Sequence, residues 1–128
     1  MIVGIGVDIV EVERISRALD RHGDRFVRRV FTASEAEYCR RCVHPEQRFA
    51  TRFAAKEAAL KALGTGWAQG LEFLQVEVSN NELGAPAVTF TGKALDRSRR
   101  LGVERVHVSL THHRHFAIAQ VVLEAPGT

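Results

Sequence analysis

Asp8, Lys56, Glu57 and Lys61 are the side chains whose type and spacing could do chemistry. Asp8 interrupts an apolar, Ile- and Val-rich run, where a carboxylate without a partner is costly. Strand side chains alternate faces, so Asp8 shares its face with Gly4 and Gly6. Two missing side chains beside an acid leave room for a ligand or for a helix packed very close. A salt-bridged structural aspartate fits the same pattern. Glu57 and Lys61 lie one helical turn apart at the edge of an apolar face made by Phe49, Phe53, Leu60 and Leu63. Taken alone they read as an ordinary ion pair worth a few tenths of a kcal/mol. Lys56 falls in the middle of the apolar arc, a position that calls for a partner to its ammonium. Considered together, a strand carboxylate and a helix carboxylate with lysines beside them suit magnesium. That ion takes one or two carboxylates and completes its shell with water and phosphate oxygens. Neighbouring lysines would neutralise the remaining phosphate charge.

The elements that must position these groups follow from pattern. Residues 2–12 read as a buried strand, short and β-branched. Residues 14–30 read as helix with a break at His22-Gly23. Thr32-Ala-Ser-Glu35 is a capping box that starts another helix, carrying Glu37, Tyr38 and Cys39 and stopping before His44-Pro45. The clearest helix covers 46–63, rich in Ala, Arg, Glu, Lys and Leu, with Gly64 placed for a left-handed C-terminal cap. Its alanines at 54, 55, 58, 59 and 62 keep it thin, so another element or a substrate can lie against it. Residues 71–79 alternate as a strand, 80–84 are turn material, and 87–90 form a short strand. A helix over 92–101 ends at Gly102, and strands over 105–111 and 116–123 flank the loop His112-His113-Arg114-His115. Strands come in runs with helices inserted, so the expected fold class is α+β: an antiparallel-rich sheet packed against one long and several short helices. With no repeats or linkers, residues 1–128 are expected to form a single domain.

At 128 residues, with ordinary apolar and charged content, disordered and fibrous classes are excluded. The apolar N-terminal run lacks a basic leader and is broken by Asp8, and no stretch approaches the ~20 residues needed to cross a bilayer. Two cysteines without an export signal point to the cytoplasm. The net charge of +3 is too mild to announce a nucleic-acid binder. The excess is local, however: residues 14–29 hold Arg14, Arg17, Arg21, Arg25, Arg28 and Arg29 against Asp20 and Asp24, an excess of +4. Spacings of three and four place Arg14, Arg17, Arg21, Arg25 and Arg28 along one helical stripe. Such a stripe is either a solvated face or a surface for an acidic partner. The dinucleotide fingerprint fails, because Ile9 stands where its third glycine belongs, and there is no P-loop. Cys39-Arg-Arg-Cys42 and the histidine loop have zinc-like components, but both cysteines fall in a predicted helix and no second C-x-x-C exists. A basic binding module for nucleic acid or another acidic partner is the alternative reading. It lacks the exposed aromatics that RNA readers use for stacking.

Gly4-Ile-Gly6-Val-Asp8-Ile-Val-Glu-Val-Glu-Arg14-Ile15 and Arg52-Phe-Ala-Ala-Lys56-Glu57-Ala-Ala-Leu-Lys61-Ala-Leu-Gly64-Thr65-Gly66 closely resemble the two signature motifs of the holo-acyl-carrier-protein synthases. These are the small class of phosphopantetheinyl transferases. Phe31-Thr-x-x-Glu35-x-x-x-Cys39, Gly84-Ala-Pro86 and His107-Val-Ser109-Leu-Thr111-His112 resemble that family's intervening pattern, in order and across almost the whole chain. The resemblance implies transfer of phosphopantetheine from coenzyme A to a serine of acyl carrier protein, of fatty-acid or polyketide type, releasing adenosine 3′,5′-bisphosphate. It implies Asp8, Glu57 and Lys61 as catalytic residues, with Asp8 and Glu57 holding Mg2+ and Glu57 taking the serine proton, directly or through a metal-bound water. Lys61, Arg52, Gly64, Thr65, Pro86, Thr111 and His112 would bind coenzyme A. Arg14 and Arg21 match carrier-contact positions, to which the stripe adds Arg17 and Arg28; a homotrimer with sites between subunits is also implied. His113 stands where family members often carry an acidic residue, so no second base is expected there.

Overall fold

The structure, a computed structural model, describes residues 1–64 and 70–127. The chain opens with strand β1 (Ile2–Glu11), helices α1 (Val12–His22), α2 (Asp24–Val30) and α3 (Ala33–Arg41), and the long helix α4 (Pro45–Ala62). A 3-10 turn at Phe73–Gln75 leads into the hairpin β2 (Val76–Asn80) and β3 (Pro86–Phe90). Helix α5 (Gly92–Arg100) and strands β4 (Arg105–His112) and β5 (Phe116–Glu124) complete the order. The strands form an antiparallel three-stranded sheet, β1-β5-β4, and the separate β2-β3 pair. The α+β expectation holds.

Helix α4 lies across one face of the larger sheet, against β1 and β5. Its alanines at 54, 55, 58, 59 and 62 are buried in the same core that holds Ala117, Ala119, Val121 and Leu123 of β5. The glycines of β1 set the closeness of this packing. A Cβ on Gly6 would collide with the Ala58 carbonyl oxygen, and one on Gly4 with that of Ala62. Of the two uses foreseen for the missing side chains, the space is therefore filled by the helix.

Three expectations change. The first strand is buried on one face only: Gly6 and Val10 are covered, whereas Ile5, Val7 and Ile9 are 57–61% exposed. The reason is that α4 covers a single side of the sheet. The strand foreseen over 71–79 begins at Val76, because Gln75 closes a turn instead. Its side-chain oxygen accepts from the Glu72 amide and from the Ala94 amide at the start of α5 (3.1 Å). The arginine stripe is divided, since Gly23 at φ 49° ends α1 and reorients α2. Arg14, Arg17 and Arg21 stay together on α1, while Arg25 and Arg28 follow another axis.

The capping box forms as foreseen: the Glu35 amide donates to the Thr32 hydroxyl (3.3 Å) and the Thr32 amide to Glu35 Oε1 (2.8 Å). Glu35 then does more. It is buried with Lys56, its Oε1 2.7 Å from the lysine Nζ, and its Oε2 accepts from the Val78 amide at 2.7 Å. Lys56 also donates to the carbonyls of Phe73 (3.0 Å) and Val76. Its ammonium thus ties α3, α4, the 3-10 turn and β2 together, supplying the partner that its place in the apolar arc required.

Candidate active site

Close packing of β1 on α4 brings the strand carboxylate to the helix. Lys61 Nζ lies 2.9 Å from Asp8 Oδ1 and 3.1 Å from the Val7 carbonyl oxygen. The Asp8 side chain is 14% exposed and that of Lys61 is 53% exposed, so the pair joins a largely covered carboxylate to a half-exposed ammonium. Glu57, one turn earlier on α4, is half-buried and accepts no hydrogen bond among the described residues. Burial raises its proton affinity and the Asp8 charge raises it further, against opposing pulls from Lys61 and Arg14. Asp8, Glu57, Lys61 and Arg14 are therefore one electrostatic group, drawn from β1, α4 and α1. A strand carboxylate and a helix carboxylate close enough for the Asp8 charge to disfavour ionisation of Glu57 are a donor set suited to a hard divalent cation.

A second cluster surrounds a cavity of about 360 Å³ lined by Arg52, Pro86 and His112 together with Tyr38, Arg48, Asn80, Gly84 and Ser109. Arg52 is buried, lies 4.0 Å above the Tyr38 ring, and donates from Nη2 to Asn80 Oδ1 at 3.1 Å. Its Nε has no hydrogen-bond partner among the described residues, an orphaned cationic donor of the kind that an anion would satisfy. Arg48, Tyr38 and Asn80 were not singled out from sequence. Arg48 lies one turn before Arg52, so helical spacing was a usable signal; Tyr38 and Asn80 come from other elements and had none.

The other foreseen residues are dispersed. Thr111 is next to His112 on β4 and so faces the opposite side of the sheet, with Ile118 and Ile9 in its row. Gly64 adopts φ 82° after α4, where Arg97 Nε donates to the Leu63 carbonyl (2.9 Å). Thr65 and Gly66 lie outside the described residues. Arg14, Arg17 and Arg21 are exposed, whereas Arg28 borders an apolar groove of about 870 Å³ with Val27, Phe31, Ala36 and Leu74. Cys39 is a core residue whose thiol is pushed up to about 12 by burial, and Cys42 donates from Sγ to the Tyr38 carbonyl. Among the described residues no three or more His, Cys, Asp or Glu side chains gather to hold a metal, and no helix is long and apolar enough to cross a membrane.

A family model of the 4′-phosphopantetheinyl transferase superfamily matches residues 4–121. The holo-[acyl-carrier-protein] synthase of Maridesulfovibrio salexigens is 50% identical over 124 residues, covering 97% of this chain and 99% of the relative. The solved synthase of Neisseria meningitidis superposes with a TM-score of 0.86 at 36% identity, covering 97% of this chain and 99% of that one. The synthase of Bacillus anthracis, solved in complex with CoA (3′,5′-ADP), gives 0.80 at 38% identity over 98% and 99% of the two chains. This chain belongs to the 4′-phosphopantetheinyl transferase superfamily, and its enzyme class is phosphopantetheinyl transferase.

Proposed function

We propose that the chain is a single-domain holo-acyl-carrier-protein synthase, moving 4′-phosphopantetheine from coenzyme A to a serine of apo-acyl carrier protein. The observation that carries this reading is the grouping of Asp8, Glu57 and Lys61 by the β1–α4 packing, in a chain so similar to synthases throughout. In the reaction the serine oxygen forms a bond to the β-phosphorus of coenzyme A. The bond from that phosphorus to the bridging oxygen breaks, and adenosine 3′,5′-bisphosphate leaves with the electron pair. Phosphoryl transfer is mostly positioning and charge neutralisation, so this sparse group of side chains is sufficient.

Asp8 and Glu57 would hold magnesium, which when bound supplies positive charge against the pyrophosphate. Lys61 neutralises a phosphate oxygen. Glu57 takes the serine proton, a role its raised proton affinity suits, because a base works best when its pKa lies nearer to the working pH. Arg52, with its unpartnered Nε, and His112 and Pro86 bind the nucleotide half of coenzyme A. Gly64, Thr65 and Thr111 are assigned to the same ligand, by resemblance. Thr111 faces away from the Arg52 cavity, as it would if it served a nucleotide held by a neighbouring copy.

A homotrimer with sites between subunits is part of this reading, supported by the exposed apolar sheet face of Ile5, Val7, Ile9, Phe116 and Ile118. A cytoplasmic location accords with two free thiols. Arg14, Arg17 and Arg21, which stay together on α1, dock the acidic carrier, whereas Arg28 leaves their line at Gly23; Arg14 also acts on Glu57, joining docking surface to site. Arg14→Glu is expected to raise KM for carrier severalfold and leave that for coenzyme A nearly unchanged, by steady-state kinetics.

The deciding experiment combines the protein with coenzyme A, magnesium and apo-acyl carrier protein and measures the carrier's intact mass. A phosphopantetheine adduct is expected, lost in Asp8→Ala and Glu57→Ala. No adduct at any magnesium concentration would overturn the assignment.

A further inference from the structure

Lys61 holds Asp8 in a way that its phosphate-binding role does not require. Its ammonium is within hydrogen-bond distance of both Asp8 Oδ1 and the Val7 carbonyl oxygen, two oxygens of the same strand. Glu57, the second carboxylate of the group, has no such partner among the described residues. The lysine therefore contacts the strand carboxylate directly, while the helix carboxylate feels Lys61 and Arg14 only through their charge and accepts no hydrogen bond among the described residues. A divalent cation binding to the Asp8 carboxylate comes close to the ammonium held on Oδ1, and the two positive charges repel at that range. Lysine is a flexible four-carbon stem with a compact charge, and here its side chain is half-exposed, so the ammonium can swing out through solvent.

We infer that Lys61 is the resident counter-ion of Asp8, exchanged for the divalent cation when the site loads and thereby released toward the phosphates. This rests on the metal reading of Asp8 and Glu57 and adds a competition to it. One consequence is that cation and coenzyme A bind cooperatively, because the ammonium displaced by the first is the group that receives the second. Another is that the site without coenzyme A has a reduced affinity for the cation. A cation-loaded site facing water without substrate is correspondingly rare.

The test is binding, not turnover. Mn2+ is titrated into the protein without coenzyme A and followed by the loss of its free electron-spin-resonance signal, for wild type, Lys61→Met, Lys61→Gln and Asp8→Asn. Both lysine variants are expected to bind Mn2+ about fivefold tighter than wild type, the upper range for an exposed ion pair removed. Adding coenzyme A is expected to tighten Mn2+ binding more in wild type than in either variant. If Lys61→Met and Lys61→Gln bind Mn2+ no tighter than wild type while Asp8→Asn binds far more weakly, the exchange is rejected and the metal site stands. If Asp8→Asn binds Mn2+ as wild type does, or wild type binds none with coenzyme A present, the metal reading falls and the exchange with it.

Discussion

The proposed role of Glu57 as base comes with a cost to the fold. Its ionised form is disfavoured by burial and by Asp8, so its pKa in the folded state lies above the ordinary 4.5. A carboxyl with a raised folded pKa weakens the fold above that pKa and has no effect below the unfolded one. Stability is thus lost as pH rises from about 4.5 through the raised value. Glu57→Gln is expected to melt at a higher temperature than wild type at pH 7, with the gap closing by about pH 4, while transfer is abolished. Thermal melts across that range check the sign. Lys56 and Glu35 are the opposite case, since each is buried and satisfied by the other. Lys56→Met leaves Glu35 as an uncompensated buried charge and is expected to cost about 3–5 kcal/mol. The double variant Lys56→Met/Glu35→Gln is expected to cost less than the two single changes added together. Urea unfolding of all three gives the coupling.

The contact between β1 and α4 is the element on which the site depends. Gly4 and Gly6 let the strand backbone meet helix carbonyls directly, so Asp8 comes within reach of Lys61. Gly6→Ala must push the two elements apart, because the obstacle is backbone that cannot change rotamer. Its expected cost is about 3 kcal/mol, the upper end for overpacking. It should also lose transfer activity at temperatures where the protein remains folded. Denaturant titration read beside the intact-mass assay separates the two effects; near-normal stability would contradict the packing. The divided arginine stripe belongs to this scale as well. A one-residue break at Gly23 sends Arg28 toward the groove beside Leu74, away from the line of Arg14, Arg17 and Arg21.

For the whole molecule, the unmatched feature is the sheet face that α4 leaves bare. Ile118 lies between Ile9 and Thr111 in one row across β1, β5 and β4, and the neighbouring apolar residues on that face are exposed too. In the proposed trimer this face is covered, and Thr111 is carried to the boundary between copies. Ile118→Glu is expected to give a folded single chain by light scattering, with transfer reduced at least tenfold. Wild-type mass and activity in that variant would remove the face from the assembly.

Much of this protein is legible in its order of residues. Alternation, caps and glycines located the helices and most strands, because those signals act within a few residues of one another. Thr32 and Glu35 marked a helix start that forms with both capping hydrogen bonds. Motif spacing identified the family and picked out Asp8, Glu57 and Lys61. The sequence was silent wherever the outcome depends on what comes to lie against a residue. A short run rich in Ile and Val suited a buried strand at β1, and only the one-sided placement of α4 leaves half of it exposed. The 71–79 pattern suited a strand, but Gln75 is recruited by α5 and Lys56 draws on the Phe73 carbonyl. Glu35 as the partner of Lys56, and Tyr38 and Asn80 around Arg52, come from separate elements, and local spacing carries no information about such meetings. The residues and their chemical types are properties of the chain, whereas distances, pairings and proton affinities arise when close packing removes water and chooses neighbours.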